Sequence, residues 1–270
     1  MRLTRFFSLI GFLVAFSALA SAGEVYINDS AGNLYAGNPA TGVFSLIGND
    51  ANVNNEPMGD IDFTSNGQLW GIGYDNNLYS INAGTGAATL VGATGIGFVA
   101  GAAGDSFGNL YAGGTNNIYT INTATGAGTQ VGAGGGGYTV SGDLEFVGST
   151  LYATSAETAS GGTLWQINQG TGFGTFIGET GFDAVWGLAY DTDNGIFYGY
   201  TSGGQEFTIN PANLALDTAV NTNLPSLLGS NQLFGAAFGS AVPEPSTWAT
   251  LLGGAALIAA FIIRRRTARA

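Results

Sequence analysis

The chain has 270 residues, 46 of them Gly, with 18 Asp+Glu against 6 Lys+Arg, no His and no Cys, giving a net charge of −12. The bases are Arg2, Arg5, Arg264, Arg265, Arg266 and Arg269, and the single acid outside residues 23–242 is Glu244, so that body holds 17 acids and no base. It cannot neutralise phosphates, which excludes nucleic-acid binding and docking to anionic lipid, and it has no imidazole base, thiolate, Schiff-base lysine, disulfide or His/Cys zinc site.

Residues 1–22 combine Arg2 and Arg5, an apolar stretch from Phe6 to Ala20, and the small-residue end Ala20-Ser21-Ala22. That is the pattern of a secretory signal peptide, with cleavage expected between Ala22 and Gly23; an uncleaved N-terminal anchor is the alternative. Use of the secretion machinery follows.

The body, residues 23–240, repeats one phrase: NLYAGNPATGVFSLIG from Asn33, NLYSINAGTGAATLVG from Asn77, NIYTINTATGAGTQVG from Asn117 and TLWQINQGTGFGTFIG from Thr163. The Thr-Gly pairs begin at Thr41, Thr85, Thr125 and Thr171, spacings of 44, 40 and 46 residues, and a degraded fifth copy starts at Gln205. Such periods with Gly and aromatic positions belong to β-propeller blades. Each unit reads as four short strands, for example Asp60 to Phe63, Gln68 to Gly73, Leu78 to Asn82 and Ala88 to Val91, joined by turns rich in Gly, Asn and Asp. The first unit lacks its inner strand, and Leu233-Phe234-Gly235-Ala236-Ala237-Phe238, matching Val185-Trp186-Gly187-Leu188-Ala189-Tyr190, supplies it from the far end. Pairing last strand with first hides both edges. The expected fold is therefore all-β, a five-bladed β-propeller closed by a C-terminal strand, with units near 24–48 plus 233–239, 59–92, 99–132, 141–178 and 185–220. A parallel β-helix or open β-solenoid is the rival.

Two sets of body residues are candidates for chemistry. Asp191-Thr192-Asp193-Asn194-Gly195 has the order of oxygen ligands that opens a calcium loop, which makes Asp191 and Asp193 a candidate calcium site; no EF-hand Glu follows, and a plain hairpin turn is the alternative. No other cofactor is expected. Asp60, Asp62, Asp143 and Glu145 fall on equivalent inner strands, GDIDF and GDLEF, where they would line the axial channel or its mouth. Paired carboxylates serve glycoside hydrolysis, but no base is present to hold one ionised, so no catalytic residue is assigned. Trp165 and Tyr200 are of a type that stacks on sugars and equally of a type that fills cores.

Residues 241–270 contain Val242-Pro243-Glu244-Pro245-Ser246-Thr247, an uncharged run from Trp248 to Ile263, and Arg264-Arg265-Arg266. Sixteen helical residues reach about 24 Å, just enough to cross a hydrocarbon core of about 30 Å with Trp248 in one headgroup layer and the arginines in the other. The trailing arginines place the C-terminus in the cytoplasm and the body outside the inner membrane; an ordinary single-pass anchor is the alternative. Pro243, Glu244 and Pro245, the 248–263 span and Arg264 to Arg266 together resemble the PEP-CTERM sorting signal of Gram-negative bacteria. The resemblance implies an exosortase as partner, which recognises Pro-Glu-Pro and removes the tail. The body similarly resembles bacterial secreted propeller proteins with LYxIN...TG repeats, which implies fold more than role. The expected protein is thus exported, held at the periplasmic side of the inner membrane before processing and then at the cell surface or outside it. There it would be a non-enzymatic partner of extracellular polysaccharide; the alternative is a carbohydrate-active hydrolase, or a carbohydrate- or calcium-binding propeller, using the axial acids.

Overall fold

A computed structural model describes residues 23–49, 57–155 and 162–239; the expected leader 1–22 with Ala20 and Ala22, and the tail with its 248–263 span, lie outside the described residues. In chain order the strands are β1 (Glu24–Asp29), β2 (Asn33–Asn38), β3 (Val43–Asn49), β4 (Met58–Phe63), β5 (Leu69–Gly73), β6 (Asn77–Ile81), β7 (Ala88–Ala93), β8 (Gly101–Gly104), β9 (Leu110–Gly113) and β10 (Ile118–Ile121). They continue with β11 (Gly128–Gln130), β12 (Leu144–Val147), β13 (Thr150–Ser155), β14 (Thr163–Ile167), β15 (Gly174–Glu179), β16 (Val185–Asp191), β17 (Ile196–Thr201), β18 (Glu206–Ile209), β19 (Thr218–Val220) and β20 (Leu233–Gly239). A short helix, α1 (Leu224–Leu228), precedes β20.

These strands make five four-stranded sheets, β20-β1-β2-β3 as the first blade, then β4 to β7, β8 to β11, β12 to β15 and β16 to β19. All pairings within them are antiparallel, which removes the β-helix. The closing strand is the expected one: β20 pairs with β1 from Glu24↔Gly239 to Asn28↔Gly235, so the ends of the body share a sheet.

The repeated phrase has a local physical cause. After the third strand of the first four blades the chain turns through Asn-x-x-Thr-Gly; at Asn82 the side chain accepts the Gly84 N–H at 3.0 Å and the carbonyl accepts the Gly86 N–H at 2.8 Å. Gly86 sits at φ 74°, a conformation glycine adopts without the Cβ penalty. The same turn recurs from Asn38, Asn122 and Asn168. The phrase also docks blades: a Cβ on Gly48, Gly92 or Gly132 would strike the carbonyl of Thr85, Thr125 or Thr171 in the next blade. The repeat is therefore written in turn and contact residues, and not in residues with chemistry.

Apolar side chains of neighbouring blades fill the space between them. Val25, Ile27, Tyr200, Leu233 and Ala236 join the fifth blade to the first; Ile72, Leu78, Val99 and Leu110 join the second to the third. Each such Leu or Ile contributes roughly 1.5–3 kcal/mol relative to exposure. Trp165 and Tyr200 belong to these contacts: Tyr200 is fully buried between the fifth and first blades, and Trp165 packs on the core shared by the third and fourth blades.

Candidate functional site

The inner strands β20, β4, β8, β12 and β16 surround the axis, and two of them carry the paired acids. Asp60 and Asp143 are wholly buried, Asp62 and Glu145 nearly so. They stand in the wall around the axis and not at an open mouth. Each carboxylate reaches the backbone of the next blade: Asp60 Oδ2 accepts the Ala102 N–H and Asp62 Oδ2 the Gly104 N–H, both at 2.5 Å, and Asp143 Oδ2 accepts the Leu188 N–H at 2.6 Å. Glu145 accepts in the same way from Tyr190. The acids of β4 thus tie the second blade to the third, and those of β12 tie the fourth to the fifth. The sequence of β8, Gly-Ala-Ala-Gly, puts only small side chains between them.

Across that gap Asp60 and Asp143 hydrogen-bond to each other. Burial lifts both carboxyls well above the usual range, and repulsion from Asp60 raises Asp143 further. The hydrogen bond from Asp143 and the Ala102 and Ile61 amides pull Asp60 back down, but burial outweighs them. Glu145 is raised well above the carboxylate range by burial first and by the Asp62 and Asp143 charges second. Burial brings Asp62 to about 7 against the pull of the Gly104 and Phe63 amides. This arrangement stores protons and joins blades; its oxygens are committed to backbone amides.

Where the inner strands begin, the axis opens into a cavity of about 210 Å³ lined by Gly59, Tyr74, Phe98, Ala100, Ser141, Gly142, Trp186 and Phe234, so that residues from every blade or its leading segment contribute. Tyr74 and Phe98 are 43% and 44% exposed. Phe234 meets Tyr74 edge-on, with centroids 5.2 Å apart and planes at 82°, and meets Trp186 at 5.9 Å and 43°. The indole N–H of Trp186 is buried without a hydrogen-bond partner. Asp60 and Asp143 each directly follow a lining glycine, and the Asp60 charge, after burial, raises the Tyr74 phenol. Sequence reasoning missed this pocket. The match of Val185-Trp186-Gly187 to Leu233-Phe234-Gly235 puts Trp186 and Phe234 at equivalent blade positions, but nothing in the sequence brings Tyr74 and Phe98 to them.

The Asp191 loop is a hairpin turn between β16 and β17. Asp191 Oδ1 accepts the N–H groups of Asp193 and Asn194 at 2.9 and 3.0 Å, and Oδ2 accepts from the Asn194 side chain at 2.8 Å. Asp193 Oδ2 accepts from the Gly23 N–H at 3.2 Å. Asp105 organises the equivalent turn of the third blade with the same oxygen, holding the Phe107 and Asn109 amides, and Asp29 does the same one hairpin further out in the first blade, between β1 and β2, with the Ala31 and Asn33 amides. Among the described residues no group of three or more His, Cys, Asp or Glu is placed to hold a metal ion, and no helix is long and apolar enough to cross a membrane.

Comparison with known proteins separates tail from body. Residues 241–266 match the PEP-CTERM protein-sorting motif, the stretch that holds Pro243, Glu244, Pro245 and Arg264 to Arg266. Among curated proteins none matches the chain significantly. Among solved structures the body is similar to a chain of a nidogen/laminin complex, with a TM-score of 0.54 and 10% identity over 81% of this chain and 98% of that one. It is also similar to a structural genomics protein of unknown function from Bacteroides thetaiotaomicron, with a TM-score of 0.48 and 19% identity over 74% of this chain and 59% of that one. At these identities the likeness is one of fold alone. The chain is a five-bladed β-propeller that carries a PEP-CTERM protein-sorting motif at its C-terminal end, the mark of an exported protein whose processing partner is an exosortase.

Proposed function

We propose that the propeller is a non-catalytic module of the cell surface or extracellular matrix, released from the membrane when an exosortase removes its tail. In this reading the leader 1–22 carries the chain out, the 248–263 span holds it with the body on the periplasmic side, and cleavage near Pro243-Glu244-Pro245 frees residues 23–242. The observation that carries the reading is the sorting motif at 241–266. The composition of the body supports the non-catalytic part: it has no His, Cys, Lys or Arg, and the acids that resemble a glycosidase pair spend their oxygens on amides between blades. Glycoside hydrolysis needs one carboxyl free to protonate an oxygen and another to attack or activate water. A body of uniform charge sign repels copies of itself and stays dispersed in a polysaccharide matrix, its chemical partner here.

Replacement of Pro243, Glu244 and Pro245 by alanine in a host with an exosortase tests the sorting. The expected product is a heavier band that keeps its tail and stays with membranes, while the wild-type body appears at the surface or in the medium. Identical processing of the two chains would overturn the reading.

A further inference from the structure

We propose that the axis of the propeller holds one hard divalent cation, of the calcium class, between Asn28 on β1, Asp60 on β4 and Asp143 on β12. The amide of Asn28 argues for this first. Asn28 is wholly buried, and its Nδ2 donates to the Met58 carbonyl at 2.7 Å. That bond fixes which way the amide points, because exchanging its two ends would set oxygen against oxygen. Oδ1 is thereby an acceptor, and it is buried without a hydrogen-bond partner. A buried acceptor left unmade is costly, and this one asks for a group from outside the chain. Its position argues second. Asn28 pairs with Gly235 of β20. A Cβ on Gly235 would strike Asp60 Oδ1 and stand 2.8 Å from Asn28 Oδ1, so the amide oxygen and the carboxyl oxygen converge beside a residue that has no side chain. Two acceptors turned to one point repel unless a proton or a cation joins them.

Asp143, which hydrogen-bonds to Asp60 across β8, brings the second carboxyl. Asp60 Oδ1 takes one N–H, from Ile61 at 2.8 Å, and Asp143 Oδ1 takes one, from Leu144 at 2.6 Å. A carboxylate oxygen has two lone pairs, so each keeps one for a metal. Charge and ligand type then set the class. Residues 23–242 contain no Lys, Arg or His, so no side chain of the body balances two buried acids, and buried charges are otherwise paired or bound to metal. Two carboxylates and a neutral amide balance a divalent ion. All three ligands are oxygens, which suit calcium and not the metals that imidazole and thiolate select. The set holds two acids and an amide, and calcium completes a shell of about six to eight oxygens with carbonyls and water. Water has its way in through the axial cavity, lined by Gly59 and Gly142, the residues just before Asp60 and Asp143. The proposal goes beyond sorting and does not depend on it.

The full chain, purified in a neutral polyoxyethylene detergent, is stripped with a chelator until metal analysis finds no calcium. It is then titrated with calcium by calorimetry in chelator-free buffer on the alkaline side of neutral, where protons compete least for the carboxyls. One calcium per chain is expected to bind, and the melting temperature to rise with calcium by more than with sodium at equal ionic strength. Asp143→Asn, which keeps an oxygen for the Leu188 N–H, and Asn28→Leu, of similar volume, are each expected to weaken calcium at least about tenfold. Asp193→Ala, in the turn between β16 and β17, is expected to bind as wild type does. No heat from calcium, with melts in calcium and sodium that coincide, would overturn the proposal by leaving a proton or a water between the oxygens. Binding that Asp143→Asn leaves unchanged, or that Asp193→Ala removes, would overturn it too by placing the ion elsewhere.

Discussion

Single aspartates organise several hairpins of this body, Asp105 and Asp191 next to inner strands and Asp29 and Asp75 one hairpin further out. Asp29 has no cation beside it, yet its two oxygens serve five donors: the N–H groups of Ala31 and Asn33, the Asn33 side-chain amide, the Tyr35 hydroxyl, and the Asn231 amide from the segment before β20. Dipoles and not a counter-ion hold the charge, as carboxylates that accept several N–H groups are commonly held. Asp29→Ala would leave these donors buried or half-buried with nothing to replace the acceptor, at a cost of about 2–4 kcal/mol. Asp29→Asn keeps one acceptor but forces an amide against the Tyr35 and Asn231 donors, and is expected to lose about half as much. Thermal melting of the two variants beside wild type checks the order; a melt of Asp29→Ala equal to wild type would remove the carboxylate from the account. The Asp191 turn is held in the same way, Oδ1 accepting the Asp193 and Asn194 amides and Oδ2 the Asn194 side chain.

At the scale of elements, the ring has strong and weak strands. β20 is central to the closure: it lies between β1 and the inner strands of the neighbouring blades, and Ala236 and Ala237 are buried. β3, by contrast, is an outer strand whose Val43 and Leu46 are 62% and 58% exposed. An unpaired charge in a buried inner strand costs about 3–5 kcal/mol, while a surface change stays within about 0.5 kcal/mol. Ala236→Asp is therefore expected to open the ring and leave β1 as a sticky edge, read as loss of soluble protein, whereas Leu46→Asp should express and melt as wild type does. Equal behaviour of the two would contradict closure through β20. These strands were legible because the phrase at Asn33, Asn77, Asn117 and Thr163 records turn chemistry, and turn chemistry is local. The match of Leu233–Phe238 to Val185–Tyr190 was legible because closure repeats an inner strand. What the sequence hid is non-local. Nothing in GDIDF and GDLEF says that their acids reach amides of the next blade, because the acceptor role depends on the small side chains of β8 and on inter-blade distance. Tyr74, one residue past the end of β5, reads as one more strand aromatic, and only ring geometry brings it beside Phe234.

Over the whole molecule, the absence of bases in residues 23–242 reverses the usual dependence of stability on pH. Proteins commonly unfold in acid because carboxylates paired with Lys, Arg or His in the native state lose those partners on protonation. This body has no such pairs to lose. Its buried acids lean the other way: burial brings Asp62 to about 7 and Glu206 to about 8, and raises Asp60, Asp143 and Glu145 well above the ordinary range. Glu206 lies opposite Tyr200 on β17, close to its hydroxyl yet without a well-aligned hydrogen bond to hold a charge. When the folded pKa of an acid exceeds its unfolded value, the native state binds more protons than the unfolded chain between those two values, and stability falls as pH rises through that interval. The window runs from about 4, where unfolded carboxyls titrate, up to about 7 for Asp62 and about 8 for Glu206. Asp62 alone contributes a loss on the order of 4 kcal/mol across it. For a body of this size that corresponds to a melting temperature lower by roughly 10 °C at pH 8 than at pH 4.5. Scanning calorimetry at constant ionic strength measures it, with salt held fixed because screening of the acids shifts melting by itself. Asp62→Asn keeps an oxygen for the Gly104 N–H and removes the ionisation, so its melt should equal wild type at pH 4.5 and exceed it at pH 8. A wild-type melt that rises between those pH values would mean that the axial acids are ionised and paired by something other than this chain.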